Sequence, residues 1–148
     1  MEKNIQNVVI FTDGGSRGNP GPAAIGVVIK DDKGTVLKSY GEAIGETTNN
    51  EAEYRAVISG LQKVKALLGK EKIKKITVHC FMDSELVVKQ LTGKYKIEQE
   101  KLFPFFIKIW NLRIEFGAIE FTHVPREKNK EADRQVNEAL DKEQKQLF

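Results

Sequence analysis

Val8-Val9-Ile10-Phe11-Thr12-Asp13-Gly14-Gly15 sets the fold: a short apolar run that stops at an acidic residue and two glycines. Such a run reads as a buried strand entering a turn. The next segment, Gly18-Asn19-Pro20-Gly21-Pro22, must be irregular, because two prolines and two glycines prevent either regular element. Ala23 to Lys30 and Val36 to Ala43 are two further stretches rich in strand-forming residues. Between them, Asp31-Asp32-Lys33-Gly34 is a hairpin signal. The chain is therefore expected to open with three strands in an antiparallel meander.

Working outward, Asn50 to Leu68 predicts a helix. Tyr54, Val57, Ile58, Leu61, Val64 and Leu68 recur at the spacing of one buried stripe. Thr48, Asn49 and Asn50 offer capping side chains at its start, and Gly69 offers a stop. Ile73 to Phe81 reads as a strand, followed by a helix from Ser84 to Leu91 capped by Asp83 or Ser84. In Lys94 to Ile109, Phe103-Pro104-Phe105 breaks or starts a helix, and Leu102, Phe106, Ile109 and Trp110 are expected to share one apolar face. Ile119 to Val124 is a last strand ended by Pro125. Lys130 to Gln144 is a last helix with Ala132, Val136, Ala139 and Leu140 inward.

An antiparallel meander followed by strand–helix–strand crossovers predicts an α/β fold, one mixed sheet with helices on both faces. The 148 residues suit a single domain over 1–148, with no internal repeat or low-complexity linker. No apolar run approaches the roughly 20 residues that span a bilayer. The segment Met1 to Asn7 lacks the apolar stretch of a signal peptide. One cysteine, Cys80, excludes an internal disulfide; at the end of an apolar strand it reads as a small buried residue of a reducing, cytoplasmic setting. A net charge of +3 does not by itself indicate nucleic-acid binding. Its distribution says more: Lys63, Lys65, Lys70, Lys72, Lys74 and Lys75 form one cluster, and Arg126, Lys128 and Lys130 form another near Asp133.

Four acidic residues stand at the edges of apolar segments: Asp13, Glu53, Asp83 and Asp133. Residues just past strand ends gather in a common cleft in this fold class. Brought together, four carboxylates raise one another's pKa values unless a cation neutralises them. All-oxygen ligation, with no His or Cys cluster, points to a hard cation such as Mg2+ or Mn2+ rather than zinc. Singly, each residue has another reading. Asp13 before two glycines can form a turn, Asp83 can cap a helix, and Glu53 can favour a helix dipole. Asp133 can pair with Lys130 or Arg134.

The surrounding segments bear on that choice. Phe11 to Gly26, Phe-Thr-Asp-Gly-Gly-Ser-Arg-Gly-Asn-Pro-Gly-Pro-Ala-Ala-Ile-Gly, resembles the opening signature of type 1 ribonuclease H. Thr47-Thr48-Asn49-Asn50-Glu51-Ala52-Glu53-Tyr54 is similar to that family's second block, Asp83-Ser84 to its third, and Asn129-Lys130-Glu131-Ala132-Asp133 to its fourth. The resemblance runs in order along nearly the whole chain. It implies the ribonuclease H fold, with a five-stranded mixed sheet whose first three strands are antiparallel. It also implies hydrolysis of the RNA strand of an RNA/DNA hybrid by a monomer. Asp13, Glu53, Asp83 and Asp133 match the family's metal-binding carboxylates, which hold two divalent ions roughly 3.5–4 Å apart and leave 5′-phosphate and 3′-hydroxyl ends. Gly18, Asn19, Thr48 and Asn49, with Asn50 as a lesser candidate, match positions that touch the hybrid. Small uncharged donors suit a close approach to a minor groove and its 2′-hydroxyls.

Two departures from the family pattern stand out. Many members carry a histidine in a glycine-containing loop before the last carboxylate. Here Val124-Pro125-Arg126-Glu127-Lys128-Asn129 has neither, His123 still falls in the strand, and Arg126 is the better candidate for contact with the scissile phosphate. Leu91 to Phe105 is too short and too mixed in charge to be the basic, Trp-rich protrusion of some relatives. These departures leave double-stranded RNA open as a second substrate. A catalytically silent binding module is the competing reading, and four intact carboxylates argue against it. Leu147 and Phe148 at the end of the chain could dock onto the body or fray.

Overall fold

The computed structural model describes residues 4–146. Strands β1 (Asn7–Ser16), β2 (Gly21–Lys30) and β3 (Val36–Thr47) lead into helix α1 (Asn49–Leu68) and one short turn of helix, α2 (Lys70–Ile73). Then come β4 (Thr77–Met82), α3 (Glu85–Leu91), α4 (Phe103–Glu115), β5 (Ala118–His123) and α5 (Lys130–Gln146). Single 3-10 turns at Glu100–Leu102 and Arg126–Lys128 precede α4 and α5. The sheet order is β3-β2-β1-β4-β5. The meander pairs antiparallel, and β4 pairs parallel with both β1 and β5. This is the expected five-stranded mixed sheet. Leu147 and Phe148 lie outside the described residues.

Alternation along the strands divides the core between two faces. On one face, Val8, Ile10, Val27, Ile29, Val78 and Cys80 pack with Tyr54, Val57, Leu61 and Val64 of α1. Cys80 is fully buried there. On the other face a smaller cluster joins Ala24 of β2 to Val136 and Leu140 of α5. Gly26 lets α5 lie directly on the sheet, since a Cβ there would come within 2.1 Å of the Ala132 carbonyl oxygen. Gly26 is paired with Asp13 in the neighbouring strand. The helix that carries Asp133 is thus seated over the residue row that carries Asp13.

Four local expectations need correction. Asp13-Gly14-Gly15 does not end the first strand: Gly14, Gly15 and Ser16 remain paired with Ile25, Ala24 and Ala23, so Asp13 sits inside β1. The long partner strand holds the glycines extended, and Gly21 and Pro22, expected to be irregular, are its first residues. Ile73 ends α2 rather than opening β4, which begins at Thr77. Pro104 sits in the first turn of α4, where its missing N–H costs nothing, and the helix buries Ile109 and Leu112. Trp110, expected inward, is 52% exposed on an outer stripe with Phe103, Ile107 and Ile114. No helix among the described residues is long and apolar enough to cross a membrane.

Candidate active site

Each of the four carboxylates arrives on a different element. Asp13 comes from β1, Glu53 from the second turn of α1, Asp83 from the residue after β4, and Asp133 from the first turn of α5. Carboxylate oxygens of Asp13, Glu53 and Asp83 all lie within 4.8 Å of one another. Asp133 joins these three in lining one cleft of about 370 Å³. Asp13 and Glu53 are buried, and the other two are partly exposed at the mouth.

Local interactions fix this convergence. Thr48 caps α1, its hydroxyl accepting from the Glu51 N–H at 3.2 Å, and Ser84 caps α3 by accepting from Val87 at 3.3 Å. Ser84, rather than Asp83, therefore does the capping, which leaves the Asp83 carboxylate to the cleft. Tyr54, next to Glu53 and fully buried, donates its hydroxyl to Oε1 of Gln90 at 2.5 Å. That bond ties α1 to α3. Gly14 donates its N–H to Oε1 of Glu53 at 2.9 Å.

The electrostatics follow from burial and like charge. Burial first, then the neighbouring Asp83 and Asp133, pushes Asp13 up from 3.8 to about 7, although the contact with Glu53 pulls the other way. Glu53 is raised well above the ordinary carboxylate range by burial and by Asp13, partly offset by the Gly14 N–H. A cation held among these oxygens would relieve both penalties. An all-carboxylate donor set suits Mg2+ or Mn2+, so the residues fit the ion that the sequence pattern implies.

Of the residues expected to touch substrate, Gly18, Asn19 and Thr48 do not line this cleft and the other three do. Asn49, Asn50 and Arg126 line the same cleft. Asn49 accepts from the Ser16 N–H at 2.9 Å, and its own N–H donates to Asn19 at 3.0 Å. The amides therefore join the loop after β1 to the start of α1. Gly18 has a φ of 96° in that loop, and Asn19 and Gly18 are exposed. His123 is the last residue of β5, paired with Met82, and does not line the cleft.

A family model described as reverse transcriptase-like matches residues 11–139. The chain is 48% identical to the LC11 ribonuclease H1 from a compost metagenome; it covers 98% of that protein with 93% of its own length, at a TM-score of 0.87. A structure of the same protein in complex with an RNA/DNA hybrid gives the same identity and TM-score, over 91% of this chain and 97% of that one. Ribonuclease HI of Halobacterium salinarum is 41% identical over 131 residues, or 88% of this chain and 63% of the relative. The chain belongs to the type 1 ribonuclease H family. A bifunctional protein of Mycobacterium tuberculosis is 43% identical over 135 residues, but this chain spans only 35% of it.

For this family member, sequence reasoning passed over several cleft residues. Arg17, Ser16, Ser84 and Asn137 all line it. Arg17 donates to Asp141 at 2.7 Å and to Gln144 at 2.6 Å, tying the loop after β1 to the last turns of α5. Its place four residues after Asp13 was the available signal; its partners, more than 120 positions away, were not readable. Asn129 was also passed over. It is 1% exposed and donates to the Thr12 carbonyl at 2.9 Å.

Proposed function

We propose that this chain is an endonuclease that hydrolyses the RNA strand of RNA/DNA hybrids, with Asp13, Glu53, Asp83 and Asp133 holding two divalent cations. The observation that carries the reading is the convergence of Asp13, Glu53 and Asp83 oxygens within 4.8 Å, with Asp133 in the same cleft. The hybrid complex of the 48%-identical LC11 ribonuclease H1 supports the choice of substrate. Bound Mg2+ or Mn2+ would supply activation of the attacking water and charge stabilisation of the departing 3′ oxygen, leaving 5′-phosphate and 3′-hydroxyl ends.

The protein's own contribution is positioning. The cleft floor is rigid because β1, α1, α3 and α5 are cross-tied beneath it, so the carboxylates are preorganised toward the scissile phosphate. Asn49 and Asn50, with Thr48, Asn19 and Gly18 beside them, present small polar groups that let a minor groove and its 2′-hydroxyls approach. Arg126 offers a fixed positive charge to a phosphate at the mouth and serves as neither base nor acid near neutral pH. Cleavage of an end-labelled hybrid, with Mg2+, Mn2+ or EDTA, tests the reading, with double-stranded RNA in parallel and Asp13→Asn as control. Metal-dependent cutting of the RNA strand, lost in Asp13→Asn, is expected. A folded protein that binds the hybrid and leaves it intact would instead be a silent binding module.

A further inference from the structure

We infer that Asn129 is a positioning residue: its side-chain amide sets where Asp133 stands relative to Asp13, and through that the affinity of the carboxylates for a divalent ion. The inference rests on the metal-dependent reading above and adds a residue outside the cleft to it.

Asn129 reaches both carboxylates through the backbone. Its Nδ2 donates at 2.9 Å to the carbonyl of Thr12, the residue before Asp13. Its own carbonyl accepts from the N–H of Asp133 at 3.1 Å, the first turn of α5. The chain before it is fixed too, since the Asn129 N–H donates to the Arg126 carbonyl at 2.9 Å. One residue thus spans from the strand carrying Asp13 to the helix carrying Asp133. The position on β1 matters as well. β1 pairs with β4 as far as Phe11 and Phe81, so at Thr12 the strand leaves its parallel neighbour. The Asn129 amide engages the backbone at that point, next to Asp13 itself, whereas the Arg17 contacts hold the far end of α5.

The other half of the amide argues against simple filling of space. Oδ1 of Asn129 is buried and makes no hydrogen bond among the described residues. An unpaired buried acceptor destabilises the folded state. A side chain that only filled space here would be better apolar, and breaches of local optimisation of this kind concentrate at functional sites. Asn129 does not line the cleft and cannot itself touch substrate or ion. Its effect must pass through Asp133 and Asp13, as outer groups around metal ligands generally do.

The test is a double-mutant cycle read by Mn2+ binding to the full-length, metal-stripped protein in a calorimeter. The four proteins are wild type, Asn129→Ala, Asp133→Asn and the double variant, each with its thermal midpoint measured. Asn129→Ala should bind Mn2+ roughly tenfold or more weakly. The same substitution in the Asp133→Asn background should change affinity clearly less than in the wild type, because one of the two carboxylates it places is gone. In cleavage assays, Asn129→Ala should lower kcat while KM for the hybrid stays within about twofold. If Asn129→Ala fails to fold, Asn129→Leu, which nearly keeps the shape, adds no charge and removes the donor, takes its place in the cycle. Wild-type Mn2+ affinity in a folded Asn129 variant, or an undiminished loss in the Asp133→Asn background, overturns the inference. Absence of hybrid cleavage by a wild-type protein that binds Mn2+ would sink the nuclease reading and leave the binding cycle intact.

Discussion

The backbone N–H of Gly14 and Oε1 of Glu53 meet at 2.9 Å in a buried contact between β1 and α1. The contact is possible only because residue 14 has no side chain. A Cβ there would come within 2.3–2.5 Å of the backbone of Ala52 and Glu53. Those atoms belong to the helix itself, so relief requires α1 to move as a body, away from Asp13.

Gly14→Ala is therefore expected to cost about 3 kcal/mol or more of stability, at the upper end for overpacking. It should also abolish metal-dependent cleavage even where the protein stays folded, since Glu53 leaves the other carboxylates. Urea denaturation with a parallel hybrid-cleavage assay checks this. A variant of native stability with full activity would mean that α1 does not rest on Gly14.

Stability should depend on pH in an unusual direction for carboxylates. The unfolded chain releases the Asp13 proton near 3.8, whereas the folded chain holds it up to about 7. Between those values the folded state binds more protons, so its stability falls as pH rises through the window. Glu53, raised well above its ordinary value, acts in the same sense. Thermal melts in EDTA should show a lower midpoint at pH 8 than at pH 5, with a penalty from Asp13 over that interval of at most about 3 kcal/mol. Asp13→Asn should flatten the profile, and Mg2+ should restore the midpoint most at pH 8. A midpoint that does not fall between pH 5 and pH 8, or that falls equally in Asp13→Asn, contradicts this account.

The two faces of α4 make a sharper stability contrast. Ile109 is 2% exposed in the core, whereas its neighbour Trp110 is 52% exposed, stacked on Phe106 at 6.5 Å with the Arg113 guanidinium over its ring. Ile109→Ala should cost about 2–4 kcal/mol. Trp110→Ala, despite removing the larger side chain, should cost less than about 1 kcal/mol, as surface substitutions do. Chemical denaturation of both variants decides it, and the reverse order would place Trp110 in the core.

Trp110 also marks where sequence stops informing. The meander, α1 and the four carboxylates were legible because their signals are local: strand-forming runs, a stripe at helical spacing, and acidic residues beside motif glycines. Helix α4 is less legible because seven of its first eight residues are apolar or proline, so no polar face identifies the buried side. The β1 glycines look like a turn in sequence, but their conformation is set by pairing with β2, a neighbour that local rules do not see. Asn129 stands within a motif that assigns it no role, because its partner Thr12 lies 117 positions earlier. Residues that act through distant backbone atoms carry no pattern of their own.

Arg126 tests the substrate side of the cleft. It is exposed, on a 3-10 turn beside Asp133, and lines the cleft without the histidine loop common in the family. Its charge is fixed across the working pH range, so a role at a phosphate is electrostatic rather than proton-transferring. Arg126→Ala should therefore weaken hybrid binding and reduce the slope of log affinity against log salt by about 1. The pH dependence of kcat should keep its shape, because no titrating group is lost. Binding titrations at several salt concentrations, with a pH–rate profile for wild type and variant, measure both. An unchanged salt slope would place the Arg126 side chain away from the bound phosphates. A profile that loses one of its limbs would instead mean that Arg126 controls the ionisation of a carboxylate or water in the cleft.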